Sequence, residues 1–248
     1  MTRSLRVALA TYPGIDSEFS DDPLLLELLH DRDVQAEWWA WSDPTATWDE
    51  TDLVVIRTTW DYARHHARFL GWLRDLPVPV ENAPPLVRWN SDKHYLDDLA
   101  GAGIATVPTR FVAPDAPVPD LEAMCQAAPT GELVVKPTVS AGGRDTGRFS
   151  STSLDEAREL LRQIGASGRV AMVQPFYASV VDVGETAVVL IDGAVSHVLR
   201  KGSVLGPDEV APLASDALGA AAVMYDPGLV VAGQAAGDEL ALAQQTLR

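Results

Sequence analysis

A single cysteine, Cys125, stands in 248 residues, so an internal disulfide is excluded, and no CxxC or HExxH spacing offers a zinc site. Positive charge is scarce as well: 19 Lys and Arg stand against 35 Asp and Glu, a formal charge of −16 at pH 7. A nucleic-acid surface needs a basic footprint that this chain lacks, so no nucleic-acid partner is expected. An anionic substrate would need a local cationic lining. Long apolar runs are also missing. The N-terminus has Arg3 and Arg6 but then only a short apolar strand broken by Pro13, with no h-region or small-residue cleavage site. No membrane partner is expected, and the reading is a cytoplasmic enzyme or binding protein. From Gly202 onward the only basic residue is Arg248, and Ala, Gly, Pro and Asp prevail.

What is present suits a globular protein. A 47% hydrophobic, 22% charged chain of this length can build one large domain or two to three small ones with real cores. All seven tryptophans fall between Trp38 and Trp89, which sets the first third apart as its own domain, and such aromatic density reads first as packing. Pro77, Pro79, Pro84 and Pro85 mark a linker.

In chain order, Leu5 to Ala10 reads as a strand and Thr11 to Gly14 as a turn. Leu24, Leu25, Leu28 and Leu29 lie at helical spacing, with Asp21 or Asp22 as cap and Pro23 in the first turn. Val34 to Trp41 and Leu53 to Ile56 are further strands, and Phe69 to Leu76 a second helix. This order implies an open α/β layer whose strand C-ends form a crevice, with Tyr12, Arg57 and Asp61 along it. Asn90 or Ser91 is read as the cap of a helix through Tyr95, Leu96 and Leu99, which puts Lys93 in its first turn. A cation there opposes the helix dipole unless an anion binds beside it.

The most informative stretch is residues 130–149. Leu133 to Val135 reads as a buried strand, yet Lys136 follows directly and Pro137 closes it. A Ser140-Ala141-Gly142-Gly143 loop comes next, flanked by Arg144 and Arg148. A lysine at the end of an apolar strand must reach water or meet an anion, and a small, backbone-rich loop suits a phosphate. The plainer alternative is a hairpin with a solvated lysine. Leu154 to Ile164 follows as an amphipathic helix capped by Ser153, then a strand from Val170 to Gln174. Glu185 to Ile191 and Ala194 to Leu199 form a hairpin about Asp192-Gly193, and a short helix starts near Asp238.

Taken in order, Asn90 to Lys93, Val134 to Pro137, the Ser140 to Gly143 loop, Val173 to Phe176 and Gly184 to Thr186 with the Asp192-Gly193 hairpin resemble the ATP-grasp superfamily over residues 85–201. With Val55 to Tyr62 included, the whole chain is most similar to the branch of cycloserine-forming O-ureidoserine cyclo-ligases and bacterial glutathione synthetases. The resemblance implies mixed α/β and α+β architecture: an N-terminal α/β substrate domain at 1–86, a central ATP-grasp subdomain at 87–180 and a C-terminal one at 181–248. It implies ATP and Mg2+ as cofactors and a small amino-acid-like substrate whose carboxylate becomes an acyl phosphate attacked by nitrogen. The reaction would be ring closure of O-ureido-D-serine in antibiotic biosynthesis. An intermolecular glutathione-synthetase-like ligation, or nucleotide binding without turnover, are the alternatives. A homo-oligomer is left open.

By the same resemblance, Lys93 and Lys136 hold ATP phosphates, Ser140 to Gly143 form a lid, Gln174, Pro175, Phe176 and Tyr177 read adenine, and Glu185 contacts the ribose. Arg200 and Lys201 are candidates for stabilising the transferring phosphoryl group. Tyr12, Arg57 and Asp61 fall to the substrate. The family carries its metal-binding carboxylates and asparagine on strands after the helix that here starts near Asp238. The metal ligands therefore stay unassigned. The expectation is an incomplete C-terminal domain, a hairpin with an open edge and uncovered apolar face, and poor ATP binding without turnover by these 248 residues.

Overall fold

A computed structural model describes residues 3–14, 22–210, 226 and 228–247. The chain forms two compact units, Met1–Asp92 and Lys93–Arg248.

The first unit is built on four parallel strands. β1 (Arg6–Thr11) leads through α1 (Asp22–His30) to β2 (Gln35–Ala40). β3 (Leu53–Thr58), α2 (His66–Asp75), β4 (Val80–Glu81) and α3 (Pro84–Asn90) follow, and the sheet order is β2-β1-β3-β4. Period-two alternation divides β1 between two cores. Val7 and Leu9 face one layer with Ala36 and the α1 leucines, while Ala8 and Ala10 face the other with Val54 and Trp72. The leucines of α1 that pack are Leu25, Leu26 and Leu29, whereas Leu24 and Leu28 are 60% and 44% exposed, a rotation from the stripe read in the sequence. The cap expected at Asp21 or Asp22 falls on residue 21 and the side chain of 22, outside the described residues.

The tryptophans are mostly structural. Trp41, 2% exposed, meets Phe69 edge-on at 5.4 Å, and Trp72 touches Trp41, Trp48 and Phe69. The proline pair Pro84-Pro85 is not a linker: it opens α3 at the positions where a missing N–H costs nothing. The boundary between the units therefore lies after Asp92.

That helix also corrects the reading of Asn90 and Ser91. Asn90 ends α3 and Ser91 is its C-cap, so neither caps the next helix, α4 (Tyr95–Gly101), whose N-cap is His94. Lys93 lies in the connecting turn rather than in a first helical turn, and the dipole argument made for it fails.

The second unit contains two sheets. In the first, β5 (Arg110–Val112), β6 (Glu132–Pro137), β7 (Gly147–Ser150) and β8 (Ala171–Pro175) pair antiparallel in the order β5-β8-β6-β7. Between them run α5 (Leu121–Ala127) and α6 (Leu154–Ala166), which contribute Leu121, Cys125, Leu160 and Ile164 to a core with Leu133, Val135 and Phe149. After α7 (Ser179–Asp182) comes the second sheet: β9 (Glu185–Ile191), β10 (Ala194–Lys201) and β11 (Val230–Ala232) in the order β11-β10-β9, followed by α8 (Gly237–Gln245). The Asp192-Gly193 turn has φ of 52° and 75°, the two positive values a type I′ hairpin demands. β11 was not foreseen: it is three residues long and pairs with β10 across about thirty residues of sequence. The outer edge of β9 has no strand paired to it among the described residues.

Candidate functional site

The site begins with the alternation of β6. Leu133 and Val135 point into the core, 1% and 0% exposed, so Val134 and Lys136 must take the opposite face. There Lys136 lies opposite Met172 of β8, and Val134 lies opposite Gln174 of β8 and Arg148 of β7. This face is the floor of a cleft of about 410 Å³, within the usual size of small-molecule sites. Lys93, Lys136, the Ser140 to Gly143 loop, Gln174 to Tyr177 and Glu185 all line it, and so does Lys201.

Lys136 is largely enclosed. Burial pushes its ammonium below the ordinary amine value, Glu185 opposes that shift, and Lys201 adds to it. Desolvation costs an ammonium its hydration, so an entering anion would meet a group poorly compensated by the protein. The loop that joins β6 to β7 turns at Gly142 and Gly143, both at positive φ. Lys93 secures its root: its backbone N–H donates to the Thr138 carbonyl (3.0 Å), and its Nζ to the carbonyls of Thr138 (3.2 Å) and Ser140 (2.9 Å). Asp145, which follows the loop, forms an ion pair with Arg169 at 2.6 Å.

At the other end the lining turns apolar. Val107, Val134, Phe176 and Val180 contribute here. Gln174 Nε2 donates to Thr109 Oγ1 (2.8 Å), which donates in turn to the Val107 carbonyl (2.9 Å). Arg148 grips Glu132 through two hydrogen bonds, 3.0 and 2.6 Å, and lies 3.6 Å over the Phe176 ring. Sequence reading passed over Val134 and Arg148 as site residues, although counting back two from Lys136 reaches Val134. Ser203, Val204 and Leu205, which also line the cleft, carry no local signal at all.

Arg200 and Lys201 part company. Neighbours on a strand face opposite sides, and only Lys201 lines the cleft, with Glu185 at 3.9 Å. Arg200 instead donates to Thr186 Oγ1 and to the Gln234 carbonyl (3.0 Å) and faces Glu239 of α8 at 3.7 Å. It ties α8 to the hairpin, and the phosphoryl role suggested for it has no geometry behind it.

In the first unit, Tyr12 follows β1, Arg57 is the next-to-last residue of β3, and Asp61 lies just beyond β3, so the three gather at the C-terminal ends of adjacent strands. Tyr12 stacks on Trp60 at 5.9 Å, and Asp61, 8% exposed, accepts from Trp41 Nε1 at 2.7 Å. Arg57 is exposed.

Metal donors are sparse. Among the described residues no group of three or more His, Cys, Asp or Glu side chains is placed to hold an ion, and Glu185 is the only carboxylate lining the cleft.

Residues 7–82 match the family described as D-cycloserine synthetase DcsG, N-terminal domain. The chain is 34% identical over 192 residues to the cycloserine biosynthesis protein DcsG of Streptomyces lavendulae, an alignment covering 76% of this chain and 64% of that protein. The chain thus spans less than two thirds of that curated relative. The crystal structure of D-cycloserine synthetase DcsG superposes with a TM-score of 0.78 at 30% identity, covering 98% of this chain and 79% of that one. A RimK domain ATP-grasp protein from Sphaerobacter thermophilus gives 0.66 at 17% identity over 98% and 81%, which speaks to the fold alone.

Proposed function

The chain belongs to the ATP-grasp family that includes D-cycloserine synthetase, and on that premise we propose that it is an ATP-dependent carboxylate–amine ligase that closes O-ureido-D-serine to D-cycloserine. The observation that carries the ATP reading is the polarity of one cleft: Lys93, Lys136 and Lys201 with a glycine loop, against a single carboxylate, on a protein of net charge −16. When bound, ATP supplies the phosphoryl group that turns the substrate carboxylate into an acyl phosphate. Lys136 and Lys201 then offset charge on the phosphates, each charge-assisted contact being worth about 1.5–3 kcal/mol. Lys93 keeps the loop root in register with β6, and the loop excludes water from the phosphates. Magnesium normally takes one or two carboxylates together with phosphate oxygens. Among the described residues Glu185 alone does not make up a holding set, so the electrostatic work assigned here is that of the lysines.

In the first unit, Tyr12, Arg57 and Asp61 are the residues assigned to the substrate: Arg57 is the exposed cation suited to an amino-acid carboxylate, while Tyr12, stacked on Trp60, and Asp61, held by Trp41, are largely buried at the strand ends. No helix among the described residues is long and apolar enough to cross a membrane, and the reading adopted is a cytoplasmic enzyme acting on a small molecule. The test is product analysis with ATP, magnesium and O-ureido-D-serine, on the chain and on a fusion to the C-terminal remainder of the curated relative. The expected result from the fusion is ADP with a cyclic product and no second amine. ADP release that depends on an added amino compound would point to intermolecular ligation instead.

A further inference from the structure

The cleft has a direction. On β6, Lys136, Val134 and Glu132 share one face at two-residue steps, but only the first two line the cleft. Glu132 lines a second cavity of about 490 Å³, which continues the line away from the lysine. The two cavities share Arg148, Phe176 and the segment Ser203, Val204 and Leu205 as their common wall. At the centre of that wall is a charged plug. Arg148 is 8% exposed, is held by Glu132 through Nε and Nη2, and covers the Phe176 ring at 3.6 Å. Its backbone is fixed too, the N–H donating to the Glu209 carbonyl at 2.9 Å. Behind the plug the second cavity is partly apolar, with Val181, Leu205 and Pro207 on its sides.

We infer that the Arg148–Glu132 pair is the specificity-determining stop at the base end of the nucleotide cleft, limiting it to adenine without a bulky substituent. The inference rests on the ATP reading. With the phosphates at Lys136 and the glycine loop, the ribose lies between them and the base. The six-membered ring of the purine, which carries the exocyclic amine, then points away from the lysine toward the Arg148 guanidinium. A substituent on that amine would run into a side chain that cannot move without breaking two hydrogen bonds and a ring contact. Without the guanidinium, the same substituent would enter the second cavity.

The test compares binding of ATP and N6-benzyl-ATP to the full chain by calorimetry. The wild type should bind N6-benzyl-ATP at least about tenfold more weakly than ATP. Arg148→Ala should narrow that ratio by about tenfold, and Arg148→Ala with Glu132→Ala should do the same without leaving a carboxylate uncompensated. A wild type that binds both nucleotides equally would show that no stop exists. Variants that lose affinity for both nucleotides in equal proportion would reduce the pair to a structural one and overturn the inference. No ATP binding by the wild type would overturn the nucleotide reading itself, and this inference with it.

Discussion

The two sheets of the Lys93–Arg248 unit face the same cleft but are made differently. The four-stranded sheet has a core behind it, with Leu133, Val135, Phe149 and Val173 at 0–1% exposure and two helices over them. In the three-stranded sheet, no residue of β9, β10 or β11 is buried, and α8 has none either. The first sheet therefore fixes Lys136 and Gln174 in place, while Glu185 and Lys201 ride on a layer held mainly by its own ladder and by Arg200. A wall backed by a buried core faces one without such backing, an arrangement suited to admitting and then enclosing a nucleotide.

The comparison breaks most readily at the cores. Phe149→Ala should cost about 3–5 kcal/mol in denaturant unfolding, because it empties a filled core. Val198→Ala, half-buried at most in the second sheet, should cost about 1 kcal/mol or less. Equal costs would erase the contrast.

A smaller effect is expected at the entry to the hairpin. Gly184 has φ +84°, and a Cβ there would meet the Lys201 carbonyl oxygen at 2.5 Å. Gly184→Ala should therefore cost about 1–3 kcal/mol and displace Lys201 from the cleft, seen as a loss of stability together with ATP affinity. A neutral outcome on both would mean that β9 and β10 adjust freely.

The smallest effect is a trade of stability against function on the core-backed wall. Burial lowers the Lys136 pKa from 10.5, so the cost of its buried charge is fully present below the folded value. Between the folded value and 10.5 the unfolded chain holds a proton that the folded one has shed, so stability rises with pH there. Lys136→Met should raise the unfolding free energy by about 0.5–2 kcal/mol at neutral pH, and this gain should shrink as pH climbs toward 10.5. A gain independent of pH would assign it to packing rather than to charge.

Much of this was legible from the chain because the signals are local. Strand period, the Asp192-Gly193 turn and a lysine closing the apolar run at Val135 each act within a few residues, and the order of motifs carried the family. What failed depended on neighbours distant in sequence. The stripe of α1 was misphased because β1 and β2 choose which leucines are covered. Ser91 reads as a cap only if Pro84-Pro85 is not already opening α3. β11 exists only because β10 offers it an edge. Arg200 and Lys201 are the exception: strand alternation alone separates them, and that separation was there to be read.

The claim on which the rest depends is that the cleft takes ATP through Lys136. Calorimetric titration of ATP with magnesium into the wild type, Lys136→Ala and Arg200→Ala tests it. The account predicts that Lys136→Ala weakens binding about tenfold or more with the fold retained, while Arg200→Ala, facing away from the cleft, stays within about twofold. Unchanged affinity in Lys136→Ala, or a loss confined to Arg200→Ala, would contradict it.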